Sequence, residues 1–305
     1  MNRTHVFCLL AGVCLLLLAG CQNVKASARN DSSLPLAVNE VTATPTVGPT
    51  ASAAPALTAT TEPTATPTAA PKGIIVALDP GHGGMDLGAR HFDHNDQMDV
   101  HESTITLQLA LRVGAKLKAL GYGVFYTRDG DYYPSRGHLQ PDENGVIPPL
   151  DDLLWRNHII NQSGADLLLS IHLNAWETDD VQLRRTTCGV ETYYSTDRPF
   201  SDKSKRFAEL VHAQILATLP KIGDEANDRG VMQDNLPPDT RHMVILGPVS
   251  DTITEATQMP GILSEPMFIT CDREAALMVQ PQVQDALAQA YVDAIVEYFK
   301  EFPPK

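Results

Sequence analysis

The 305-residue chain contains no Cys-x-x-Cys pair, which argues against a structural zinc finger. It is short of positive charge: 23 Lys and Arg face 37 Asp and Glu, for a formal net charge of -14. Arg184-Arg185 is the one basic cluster, so a nucleic-acid partner is disfavoured, because phosphate binding needs a local positive field. No apolar run crosses a bilayer comfortably; the Leu-rich stretch at residues 6–19 falls short of the ~20 residues a spanning helix needs. No internal repeat is visible.

What stands at the front is a different signal. Arg3, a short apolar core and then Leu18-Ala19-Gly20-Cys21 form the pattern of an export signal rather than a membrane span. The Cys directly after the small residues resembles a bacterial lipobox, which implies a lipoprotein signal peptide over residues 1–20, cleavage before Cys21 and acylation there. An ordinary signal peptide with a chance Cys is the alternative. Cys8 and Cys14 would leave with the leader, so the mature chain keeps Cys188 and Cys271, which can pair in an exported protein or bury singly as small hydrophobes. Residues 21–71 turn into Ala, Thr, Pro and Ser with few large apolar groups, so nothing there offsets chain entropy. This is a tether, with a maximum reach of roughly 150 Å at ~3.1 Å per residue.

Residues 72–305 suffice for one α/β domain with a substantial core. It is organised around residues 74–84, IIVALDPGHGG: a buried strand ending in a glycine-rich turn that carries His82. Ligands collect at the carboxyl ends of strands in open α/β sheets. Glu102 opens a segment with Ile105, Leu109, Val113, Leu117 and Leu120 at helical spacing, and His172 ends a second apolar run, LLLSIH. Two imidazoles and one carboxylate are a ligand set for a catalytic Zn²⁺ that keeps a position open for water. Strand, helix and strand over residues 74–127 predict a parallel pair. Residues 131–152 read as a long surface loop, 153–162 as a helix with Leu154, His158 and Ile159 inward, and 176–188 as loop. A strand is expected at 190–194, a helix at 201–219, short strands at 243–246 and 261–264, and a closing helix at 283–299.

The stretches LDPGHGGMDLGA, HESTITLQLA, LLLSIHLNA and GILSEPMFIT together resemble the zinc-dependent N-acetylmuramoyl-L-alanine amidases of bacterial cell walls, type 3 catalytic domain, over residues 73–299. The resemblance implies an α/β fold, phosphorylase/hydrolase-like, with a mostly parallel central sheet and helices on both faces. It implies hydrolysis of the amide between N-acetylmuramic acid and L-alanine in peptidoglycan, with His82, Glu102 and His172 holding Zn²⁺. Glu265 occupies the position of the acid that acts on the attacking water, and Asp228-Arg229-Gly230-Val231 is similar to a tetrapeptide before the last part of the amidase domain. An extracytoplasmic, lipid-anchored enzyme acting on peptidoglycan, with a possible protein activator, is the corresponding expectation. Another zinc amidohydrolase and a catalytically idle wall-binding lipoprotein are the alternatives. His91, His94 and His101 form a weaker candidate metal loop, Glu191 and Glu255 are alternative acids, and Asp79 and Asn174 are candidates to orient the imidazoles. Arg156 and Asn161 read as structural.

Overall fold

Strand β1 (Ile75–Pro80) forms where the apolar run requires cover on both faces, and all but Ile75 of its residues are buried. In this computed structural model, which describes residues 73–225, 227–235 and 241–304, β1 lies between β4 (Gly123–Tyr126) and β5 (Leu167–Ile171), parallel to both. The expected leader at 1–20, its Cys21 and the tether at 21–71 lie outside the described residues. The six-stranded sheet has the order β4-β1-β5-β8-β6-β7. Strand β8 (Gly261–Glu265) continues the parallel set beside β5. Strand β6 (Val190–Tyr194) runs antiparallel to β8, and β7 (Asp228–Gln233) runs parallel to β6. A separate antiparallel hairpin joins β2 (Arg90–Phe92) to β3 (Met98–His101). The mostly parallel sheet is thus as expected.

One face of the sheet is covered by α1 (Glu102–Ala119), α4 (Ser201–Thr218) and α6 (Pro281–Glu301). Ile105, Leu109, Val113 and Leu117 of α1 join Phe207, Val211 and Ile215 of α4 and Leu287, Tyr291 and Ile295 of α6 against Val76, Leu78, Leu167 and Leu169. The helical spacing read from the sequence is the spacing of this buried face. The opposite face is covered by α2 (Pro149–Gln162) and the segment before β8: Ile160 and Ile245, Leu246 and Met259 pack on Ala77, Leu168 and Leu263.

Three local expectations are corrected. The inward face of α2 is Asp152, Arg156, Asn157 and Ile160, not Leu154, His158 and Ile159, because a buried ion-pair network rather than apolar burial sets its rotation. Residues 243–246 form a turn instead of a strand; Ile245 and Leu246 plug the sheet face while Asn157 donates to the Val244 carbonyl. Within the expected loop at 176–188 lies a short helix, α3 (Val181–Thr186), whose Asp180 cap accepts the Leu183 N–H. The two cysteines of the domain pair: Cys188, just before β6, is bonded to Cys271, just before α5 (Asp272–Met278).

Candidate active site

The turn after β1 is held from beneath by two buried arginines. Arg128 donates Nε to the Pro80 carbonyl (3.1 Å) and Nη2 to the Gly81 carbonyl (2.7 Å), and Arg156 reaches the carbonyls of Pro80 (3.0 Å) and His82 (2.7 Å). This clamp fixes His82 at φ 62°, a left-handed conformation that costs a non-glycine residue about 1–2 kcal/mol. Asp79 balances the charge beneath, accepting Arg156 (2.8 Å), Thr127 (2.6 Å) and Ser170 (2.8 Å). Burial works against its ionised form, yet Arg156 and the Thr127 hydroxyl hold its carboxyl down at about 2. Burial and the neighbouring Arg156 charge lower Arg128 to about 10.

Asp79 therefore supports the turn and does not touch the imidazoles, which corrects its expected role. Arg156 is structural as expected, and so is Asn161, which donates to Glu255 (3.0 Å) and accepts the Gln258 N–H (2.9 Å). Arg156→Leu is expected to destabilise the fold by about 3–5 kcal/mol in urea unfolding, because it leaves Asp79 and Asp152 buried without their cation. A loss under about 1 kcal/mol would contradict the clamp.

On this platform three ends converge. His82 comes from the carboxyl end of β1, Glu102 from the first turn of α1 and His172 from the residue after β5. His82 Nε2 lies 3.0 Å from Glu102 Oε2, and His172 Nδ1 lies 3.0 Å from Glu102 Oε1. The imidazoles stand edge to face with centroids 5.0 Å apart, and one ligand atom from each of the three residues lies within 4.8 Å of the others. The Glu102 carboxylate is aimed by backbone donors, accepting the Ala89 N–H at Oε2 (2.8 Å) and the Leu173 N–H at Oε1 (2.9 Å).

Close approach to backbone requires glycine at two points. A Cβ on Gly81 would sit 2.4 Å from His172 Cε1, and one on Gly88 would sit 2.5 Å from Glu102 Oε2. Burial opposes the charge on Glu102, but the two imidazoles more than offset it and hold the carboxyl far below the usual range. His82 is the converse: burial lowers it, while Glu102 and Asp86 raise it well above an ordinary imidazole.

Asp86 is the member that sequence reasoning missed. Its carboxylate lies 2.9 Å from His82 Nδ1, which fixes the ring with Nε2 turned to the centre. The available signal was a carboxylate four residues after His82, too common to single out. Such partners are typically worth 10–100-fold in metal affinity, so Asp86→Asn should raise the metal dissociation constant by about that factor. Competition with a chromogenic chelator measures it, and an unchanged constant would remove Asp86 from the site.

Glu265 ends β8 at the same rim. Its Oε2 is buried and has no hydrogen-bond partner among the described residues. Burial first, and then the negative charges of Glu102 and Glu191, push its pKa well above the usual carboxyl value. Glu191 is its cross-strand partner. Unlike Glu265, Glu191 is fully engaged, accepting from Asn174 Nδ2, the Tyr193 hydroxyl and Arg229 Nε. Asn174 thus braces Glu191, not an imidazole as expected. Glu255 faces His158 and Asn161 of α2.

The alternative histidine loop does not assemble. Both nitrogens of His91 are taken by carboxylates, Asp99 (2.7 Å) and Asp272 (3.0 Å), His94 is 83% exposed, and His101 faces Ser103 and Thr104. Among the described residues one other cluster could offer three ligand atoms, Cys188, Cys271 and Glu274, and its two sulfurs are joined to each other. The His82, Glu102 and His172 set suits a divalent cation of intermediate softness with an open position, beside a carboxylate free to handle a proton.

Residues 76–297 match the model of the N-acetylmuramoyl-L-alanine amidase family. This chain belongs to that family. Family membership brings the activity its name describes, hydrolysis of the amide joining N-acetylmuramic acid to L-alanine in peptidoglycan. This amidase is 29% identical over 228 residues to the N-acetylmuramoyl-L-alanine amidase LytC of Bacillus subtilis (strain 168), covering 75% of this chain and 36% of LytC. It is 29% identical over 231 residues to the germination-specific N-acetylmuramoyl-L-alanine amidase of the same organism, covering 75% of this chain and 81% of that one. Among solved structures, the N-acetylmuramoyl-L-alanine amidase from Clostridium difficile 630 superposes with a TM-score of 0.55 at 26% identity, covering 78% of this chain and 100% of the other. The CwlD amidase from Clostridioides difficile, solved in complex with the GerS lipoprotein, shares the fold with a TM-score of 0.56 at 24% identity, covering 75% of this chain and 100% of CwlD.

Proposed function

We propose that residues 72–305 form a zinc-dependent amidase domain in which His82, Glu102 and His172 hold Zn²⁺ and Glu265 moves the proton. The observation that carries this reading is the convergence of those three side chains from two strand ends and a helix start beside a buried, unpaired carboxylate oxygen. When bound, the ion would polarise the scissile carbonyl and acidify the attacking water. The protein's own groups do the rest. Asp86 keeps the His82 ring in one orientation, and the Ala89 and Leu173 N–H groups keep Glu102 aimed. Glu265 accepts a proton at its unpaired Oε2 and delivers it to the departing L-alanine nitrogen; an amide needs this because its amine is a poor leaving group. The raised pKa suits that second task, since burial and the neighbouring carboxylates favour the proton-bearing form of Glu265.

Residues 1–20 are proposed as a lipoprotein signal, Cys21 as the acylated residue, and 21–71 as the tether that lets an extracytoplasmic, membrane-anchored domain reach the wall. With a net charge of -14, long-range electrostatics gives the protein no help in approaching an anionic polymer. Chelation tests the metal dependence. The purified protein should contain about one Zn²⁺, lose turbidity clearance of peptidoglycan suspensions in excess chelator and regain it with Zn²⁺. Undiminished clearance by metal-free protein would refute the reading.

A further inference from the structure

Strand β7 pairs with β6 out of step at one point: Val190 faces Asp228 but Glu191 faces Gly230, so Arg229 is an extra residue on the edge strand. Bulges of this kind re-aim a side chain and are enriched beside active sites. Gly230 takes φ 106° to accommodate it, with open space where its Cβ would be, so the backbone conformation is what requires glycine. The re-aimed guanidinium donates Nε to Glu191 Oε1 at 2.6 Å and lies over the Phe268 ring (4.8 Å) and the Trp176 ring (5.4 Å). Its side chain remains 31% exposed, and among the described residues only its Nε edge is committed to a protein acceptor. Arg128, Arg156, Arg185 and Arg198, by contrast, each give their Nη groups to backbone or carboxylate oxygens. In the same corner the Trp176 indole Nε1 is buried with no partner among the described residues.

We propose that Arg229, backed by Phe268 and Trp176, is a binding site for a carboxylate of the substrate's stem peptide, downstream of the scissile amide. The inference rests on the amidase reading above. Three arguments give it its form. A planar guanidinium held through Nε is pre-organised for two parallel bonds to a carboxylate from its Nη groups, and the aromatic rings beneath it restrict its orientation and partly shield it from water. Glu191 lies between Arg229 and Glu265 in the sheet. With neighbouring strands ~4.8 Å apart, Arg229 stands roughly 10 Å from the carboxylate that moves the proton. An extended peptide advances ~3.3–3.6 Å per residue, so with L-alanine at the reacting centre the second and third residues lie ~3.5 and ~7 Å out, within reach of an Arg229 side chain that turns back toward Glu191. Those residues carry the stem's free carboxylates. In a domain of strongly negative charge, this cation supplies attraction where the acidic substrate needs it.

Steady-state kinetics of the purified full chain on soluble muramoyl-tripeptides test it, with the carboxylate of the second or of the third residue either free or amidated. The wild type should lose roughly tenfold in kcat/KM, through KM, on amidation of one of the two positions, the size expected for a charge-assisted hydrogen-bonded pair. Arg229→Gln should cleave the free form with that raised KM, keep kcat within about twofold, and be indifferent to amidation. Arg229→Lys keeps the charge beside Glu191 and loses the fork, so it should fold normally and show an intermediate preference. A wild type blind to amidation at both positions overturns the proposal, as does an Arg229→Gln enzyme that retains the wild-type preference or loses kcat equally on every substrate. Failure of the wild type to cleave any form would instead strike the amidase reading on which this one stands.

Discussion

Glu265→Gln is expected to lower turnover on peptidoglycan by about 10²–10⁴-fold, the usual value of positioned acid–base assistance, with zinc content unchanged. The substitution preserves shape and removes the proton carrier. It should not destabilise the protein, because burial near Glu102 and Glu191 penalises the charge that the substitution removes. Thermal unfolding should occur at the same temperature or slightly higher. Loss of zinc in this variant would make Glu265 a ligand and not a proton carrier. Full activity would pass the role to another acid. Glu191 would be the first to test, although its three donors leave it little freedom, and Glu255 stands apart against α2.

The second large effect concerns the ligands. His82→Ala and His172→Ala should each lower zinc content, measured by atomic emission on the purified protein, and reduce activity by at least about 100-fold, since the metal's share of an amide hydrolysis is several kcal/mol. The double variant should be metal-free. Retention of a full equivalent of zinc in it would move the site elsewhere. The loop of His91, His94 and His101 is poorly suited to receive it, because Asp99 and Asp272 already occupy both nitrogens of His91.

The parts of this architecture that were legible in the sequence are those where burial imposes a pattern. The continuous apolar run of β1 and the spacing of Ile105, Leu109, Val113 and Leu117 in α1 follow from one face packing on the core, and His82, Glu102 and His172 were readable because each sits at the end of such an element. The rotation of α2 was illegible for the opposite reason. Its buried face includes Asp152, Arg156 and Asn157, polar residues whose burial depends on partners far off in sequence, as with Arg156 and Asp79, 77 positions apart. Strand β7 carries only Val231 and Met232 as apolar residues and lies at the sheet edge, so no strand period appears in it. The pairing of Cys188 with Cys271, 83 residues apart, needed the fold to bring β6 beside the segment after β8. Asp86 and Arg229 act through geometry that a turn and a bulge create, which no residue spacing announces.

The central claim is that this domain cuts the bond between the lactyl carboxyl of N-acetylmuramic acid and the first L-alanine. Digestion of purified sacculi with the purified protein, followed by mass spectrometry of the released fragments, tests it directly. The account predicts stem peptides with a free L-alanine amino terminus and glycan strands with free lactyl carboxyls, both absent from the digest by Glu265→Gln. New reducing sugar ends, or cleavage within the stem peptide with the muramoyl amide intact, would contradict it.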